Sequence, residues 1–149
     1  MKISEIMTVH SVFCDVKASN KRQLLQDLSK KAAEITGIFD RTIFDSLLER
    51  ENLGSTGFGG ATALPHARIP EAKKVYGFLA KLTNLVDYEA VDEKPVDLVF
   101  MLISPEDSGA DHLTALAKAS RILKDEAFCN KLRQVSGKEE IYALLNNHE

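Results

Sequence analysis

The chain has 149 residues, 44% of them hydrophobic and 28% charged, with a formal net charge of −3 at pH 7. That length suits one domain with a real core, so a single domain over residues 1–149 is expected. Mild acidity argues against a nucleic-acid partner, and the longest apolar run, Leu98 to Ile103, is far too short to span a bilayer, so no direct membrane insertion is expected.

No apolar signal-peptide core follows Met1-Lys2, and Cys14 and Cys129 lie far apart, without CxxC or metal-type spacing. Two reduced thiols in a cytoplasmic protein are the expectation. Val12 to Val16 reads as a short leading strand. Ser19 is placed to cap a helix over roughly residues 20–36, where Leu24, Leu25, Leu28, Ala32 and Ile35 recur at helical spacing and Gly37 ends it. Asp40 is placed to cap a second helix, with Ile43, Phe44, Leu47 and Leu48 on one face, ending near Arg50. Arg50 then precedes the loop Glu51-Asn52-Leu53-Gly54-Ser55-Thr56. Its guanidinium has the fork geometry to hold two phosphate oxygens, although most arginines at helix ends are simply hydrated.

Next comes Gly57-Phe58-Gly59-Gly60-Ala61-Thr62-Ala63-Leu64-Pro65-His66, followed by Ala67-Arg68. Glycines expose backbone N–H groups where no β-carbon blocks approach, and the run delivers a histidine beside them. That is a place to put a phosphoryl group on an imidazole. A dinucleotide fingerprint needs a third glycine where Thr62 stands and a helix where Leu64-Pro65 stands, and a Walker loop needs a lysine that the segment lacks. A tight turn before a buried strand, with His66 an ordinary half-exposed side chain, explains the same residues.

Val75 to Leu82 and Val96 to Ile103 read as strands, the second so uniformly apolar that both its faces must be covered, and Ser104-Pro105 stops it. A helix follows from about Ala110 to Lys124, with Ser108 and Asp111 in a capping-box pattern. His112 falls in its first turn, where N-terminal amides favour an anion, or where a histidine is merely solvated. Asp125 can start another helix, and Ser136-Gly137-Lys138-Glu139 opens the last, ending near Asn146. This alternation points to an α/β domain.

Together, the run from Arg50 to Gly57, the glycine segment with Leu64-Pro65-His66, Pro95-Val96-Asp97-Leu98 and Asp111-His112-Leu113 closely resemble the enzyme IIA domains of the bacterial phosphotransferase system. The resemblance is to the fructose/mannitol class, most of all to its nitrogen-regulatory enzyme IIA, and it spans about Ile3 to Leu145. It implies a mixed β-sheet sandwiched between α-helices. It also implies a phosphoryl carrier in which an HPr-type phosphocarrier protein phosphorylates His66, most often on Nε2, with no cofactor.

By the same resemblance His112 and Arg50 match the second active-site histidine and the arginine, and Ser55, Thr56, Gly57 and Gly59 fall among the phosphate-binding positions. Regulatory targets such as a sensor kinase or an ion-transport protein are implied as partners. The chain departs from the pattern in two places, with Gly60-Ala61 where Asn-Gly is usual and Ala67 where Gly is usual. Ala61 and Ala67 are therefore expected in backbone conformations that tolerate a β-carbon. Two other readings are a sugar-specific enzyme IIA that passes phosphate to a IIB domain, and a metal site on His66, His112 and Asp111, which nothing in the spacing requires.

Overall fold

The computed structural model describes residues 1–148. A four-residue helix, α1 (Ile3–Ile6), and a 3-10 turn at Val9–Ser11 precede β1 (Val12–Val16); neither was expected. α2 (Lys21–Thr36) is capped by Asn20 rather than Ser19, the Asn20 side chain accepting from Gln23 N at 2.8 Å. It ends at Gly37, whose φ of +75° places it in the left-handed region. α3 (Asp40–Leu53) starts with Asp40 inside the first turn, where its charge favours the dipole without capping. It runs beyond the expected end, so Arg50 and Glu51 belong to its last turn.

The glycine segment folds into strand rather than loop: β2 (Gly57–Gly59), β3 (Thr62–Ala63) and β4 (His66–Arg68). β5 (Tyr76–Val86) outruns its expected end, and β6 (Val96–Ser104) includes Ser104. α4 (Ala110–Lys124), α5 (Glu126–Gln134) and α6 (Lys138–Asn147) complete the chain. Asp125 caps α5 as expected, accepting from Phe128 N. The caps expected from Ser108 and Ser136 do not form, because Gly109 and Gly137 occupy the N-cap positions without side-chain bonds.

β6 organises the sheet. It pairs antiparallel with β5 on one side and parallel with β3 and then β4 on the other, while β1 lies parallel to β5 and β2 closes the far edge. Pro65 has no N–H to donate, so the pairing breaks between β3 and β4 and resumes through the Pro65 carbonyl, which accepts from Leu102 N at 3.0 Å. Alternate residues of β6 serve two cores. Val99, Met101 and Ile103 pack with α2 and α3, whereas Leu98, Phe100 and Leu102 pack with α1, α4, α5 and α6. The mixed sheet thus lies between helical layers.

Gly60 and Ala61, at the tip of the β2–β3 hairpin, have φ of +62° and +65°. Ala61 is therefore left-handed, contrary to the expectation of a conformation comfortable for a β-carbon. Positive φ at both central residues is what a type I′ hairpin turn demands, and strand twist selects that turn. Ala67, by contrast, sits as ordinary strand with its side chain in the core.

Candidate functional site

β4 is only three residues long, and its period of two puts His66 and Arg68 on one face with Ala67 facing the core. Its register against β6 sets His66 opposite Leu102 and Arg68 opposite Ser104. A cleft of about 350 Å³ opens on this face, lined by Ser46, Glu49, Arg50 and Leu53 of α3, by His66, Ala67 and Arg68, and by His112 of α4. Three segments distant in sequence thus converge, and the structure brings His66, Arg50 and His112 together.

The His66 ring lies 2.8 Å through Nδ1 from the Leu64 carbonyl, which can only accept, so Nδ1 carries the proton. In the neutral ring Nε2 then keeps its lone pair. Burial, and then the Arg50 charge, lower the His66 pKa below its ordinary value, outweighing the Leu64 bond and Glu51, which raise it. The group at the cleft is thus a neutral imidazole held as one tautomer, which is the form that attacks an electrophile.

His112 is the second imidazole, with its ring centre 6.0 Å from that of His66. It is 5% exposed rather than solvated, and its Nδ1 lies 2.7 Å from Oγ of the buried Ser104. Burial, helped by the Arg68 and His66 charges, pushes its pKa down to about 4. When the Ser104 hydroxyl donates to Nδ1, the His112 proton resides on Nε2, available to an anion. Arg50 donates Nη1 to the Gly54 carbonyl at 2.9 Å, which fixes its head while leaving its other N–H groups to spare.

Ser55, Thr56, Gly57 and Gly59 do not line this cleft. The Ser55 hydroxyl donates to the Tyr88 carbonyl and accepts from Gly57 N. Thr56 is buried, with its hydroxyl bonded to Glu51 Oε2 and 3.0 Å from the Tyr88 hydroxyl, and its N–H donates to Glu51 Oε1 at 2.7 Å. Lys21 closes the cluster, Nζ 2.7 Å from Glu51 Oε1. This buried knot ties α2, α3, the Thr56 position just ahead of β2, and Tyr88 together through Glu51, the residue after Arg50. A β-carbon on Gly57 would come within 2.5 Å of Ala90 Cβ, so that glycine is required by packing.

Sequence reading missed Arg68, Ser104, the Glu51–Tyr88–Lys21 knot and the exposed Leu53 at the cleft rim. Only Arg68 carried a signal, its spacing of two from His66 in an extended segment. Among the described residues no group of three or more His, Cys, Asp and Glu side chains could hold a metal ion, so Asp111 does not join the two histidines in one. Nor is any helix long and apolar enough to cross a membrane.

Residues 5–148 match the family model described as "Phosphoenolpyruvate-dependent sugar phosphotransferase system, EIIA 2". The chain is 42% identical to the nitrogen regulatory protein of Bradyrhizobium diazoefficiens over 145 residues, 97% of this chain and 95% of that one. Its fold superimposes on the crystal structure of the nitrogen regulatory protein IIA-Ntr from Neisseria meningitidis with a TM-score of 0.90, at 31% identity, covering 96% of this chain and 98% of that one. The IIA mannitol structure from Escherichia coli shares the fold at a TM-score of 0.79 and 18% identity, over 93% and 98% of the two chains.

Proposed function

The chain belongs to the EIIA 2 family of the phosphoenolpyruvate-dependent sugar phosphotransferase system, and we propose that it carries a phosphoryl group on His66 Nε2 as a nitrogen-type regulatory enzyme IIA. Proteins of this family work with phosphocarrier proteins, and an HPr-type carrier is the donor in this reading. The observation that carries it is the Leu64 carbonyl on His66 Nδ1, which leaves Nε2 as the nucleophile in a cleft shared with Arg50 and His112.

In the transfer, the Nε2 lone pair forms the new N–P bond as the donor's N–P bond breaks. The electron pair of the broken bond stays on the donor imidazole, and the Nδ1 proton does not move. Such a step asks for positioning and charge stabilisation rather than covalent machinery. The Arg50 guanidinium and the His112 Nε2–H supply donors to the phosphoryl oxygens. Leu53, 83% exposed and lining the cleft, offers an apolar rim that a protein donor would cover.

Incubation with enzyme I, HPr and phosphoenolpyruvate should give an acid-labile, base-stable label that His66→Ala abolishes; label persisting in that variant would overturn the assignment. The regulatory role is supported by the nitrogen regulatory relatives. An added phosphoryl brings about −1.5 to −2 charges to the cleft that Leu53 rims, enough to change which protein docks there. Wild-type and His66→Asp baits should retain a regulatory target, such as a sensor kinase or an ion-transport protein, to different extents. Vigorous His66-dependent phosphorylation of fructose or mannitol by membranes of the same source would instead favour a sugar-specific role.

A further inference from the structure

Arg68 shares the His66 face of β4 and lines the same cleft, yet no role is assigned to it by the reading above. Its protein hydrogen bond runs from Nη1 to the Glu106 carbonyl at 3.2 Å, and among the described residues no carboxylate pairs with it. A guanidinium has five N–H donors, so most of the fork is unspent. Arg50 shows the same arrangement, one nitrogen on a backbone carbonyl and the rest unspent.

His112, with its pKa near 4, is neutral at physiological pH. Cationic charge at the cleft comes from the two arginines, and a phosphoryl group bearing close to two negative charges asks for more than one of them. Arg68 acts electrostatically at His112, whose ring centre lies 6.0 Å from that of His66. We propose that Arg68 is a second phosphoryl-binding residue, its guanidinium gripping oxygens of the phosphohistidine at His66 from the cleft it lines together with Arg50. This rests on the reading of His66 as the carrier residue.

The competing role is a pin that holds the 105–109 turn to β4 through Glu106, and Arg68→Lys set beside Arg68→Gln separates the two. Glutamine loses the charge and also falls short of the Glu106 carbonyl that Nη1 reaches, whereas Arg68→Lys keeps the charge and loses the fork. With phosphorylated HPr as donor, Arg68→Gln should accept the phosphoryl group at least about tenfold more slowly and lose it to water faster, with Arg68→Lys in between. Should Arg68→Gln melt below wild type, the rate and adduct lifetime of Arg68→Lys decide. Wild-type rate and lifetime in both variants would overturn the proposal and leave the carrier reading standing. A wild-type protein that takes up no phosphoryl group would overturn both.

Discussion

The hairpin Gly57–Ala63 and the strand His66–Arg68 pair with the same strand β6, in the same parallel sense, separated only by Leu64-Pro65. In the hairpin, backbone conformation and close packing decide the residues: Gly57 lets Ala90 approach, and the tip turns with two positive φ values. In the strand, side-chain chemistry decides them: His66 and Arg68 face a cleft and Ala67 faces the core. Glycine density therefore reports a tight turn, and the chemistry begins after the proline. If that division is right, substitutions in the cleft change transfer and acid titration, and substitutions in the hairpin change stability alone.

The largest expected effect is on acid stability, and it belongs to the cleft. The folded-state pKa of His112 lies near 4, below its ordinary 6.5. The unfolded chain therefore binds a proton in this window that the native protein does not, and native stability falls with falling pH. The contribution is complete above about pH 6.5 and lost as pH drops toward 4, on the order of 3 kcal/mol in all. His66, also lowered, adds in the same sense. Urea unfolding between pH 7 and pH 4.5 should show this loss, and His112→Gln should flatten it. An unchanged slope in His112→Gln would remove the imidazole from the account.

Next in size are the transfer rates. Arg50→Ala and His112→Ala should stay folded and each lose roughly 1.5–3 kcal/mol of charge-assisted stabilisation, read as a rate of labelling from phosphorylated HPr slowed by one to two orders of magnitude. Ser55→Ala, whose hydroxyl is held by Tyr88 and Gly57 on the hairpin side, should label at close to the wild-type rate. A Ser55→Ala defect as large as that of Arg50→Ala would erase the boundary between the two regions.

Much of this division was legible in the sequence, for definite reasons. Periodicity located α2, α3, α4 and both long strands, since amphipathic spacing and unbroken apolar runs survive any detail of packing. The conjunction of Arg50, His66 and His112 came from motif resemblance. Their meeting depends on the register of β4 against β6 and on the end of α3, which local pattern does not encode. Capping was misread at Ser19, Ser108 and Ser136 because a neighbouring Asn or Gly took the N-cap position. The burial of His112 and Thr56 was invisible, because their partners Ser104 and Glu51 are polar residues that give no hydrophobic signal.

Gly57→Ala tests the hairpin side directly. The added β-carbon meets Ala90 Cβ at 2.5 Å and its Cα at 2.8 Å, so backbone must shift, at a cost of ~1–3 kcal/mol in thermal or urea unfolding. Where the variant is folded, His66 should still be labelled. A stable protein with abolished labelling would mean that Gly57 serves the phosphoryl group after all.

The smallest effect is the most selective. Ala61 holds φ of +65° at a turn position where glycine is at ease, and a left-handed residue with a β-carbon costs about 1–2 kcal/mol. The tip is secured from outside: Arg133 donates Nη2 to the Gly60 carbonyl at 3.0 Å while pairing with Asp97, and Asp92 accepts from Gly60 N. Those bonds act on Gly60 and on the neighbouring strand, so they hold Ala61 in place without relieving its conformation. Ala61→Gly removes the strain but loosens the unfolded chain by ~0.4–1 kcal/mol, which leaves a net gain of about 0.5–1 kcal/mol. The midpoint of urea unfolding should rise with an unchanged slope, and the rate of His66 labelling should not move. A lower midpoint would show that Ala61 contributes packing worth more than its strain; a changed labelling rate would show that the hairpin tip reaches the cleft, against the separation of backbone and chemistry on which the two regions are distinguished.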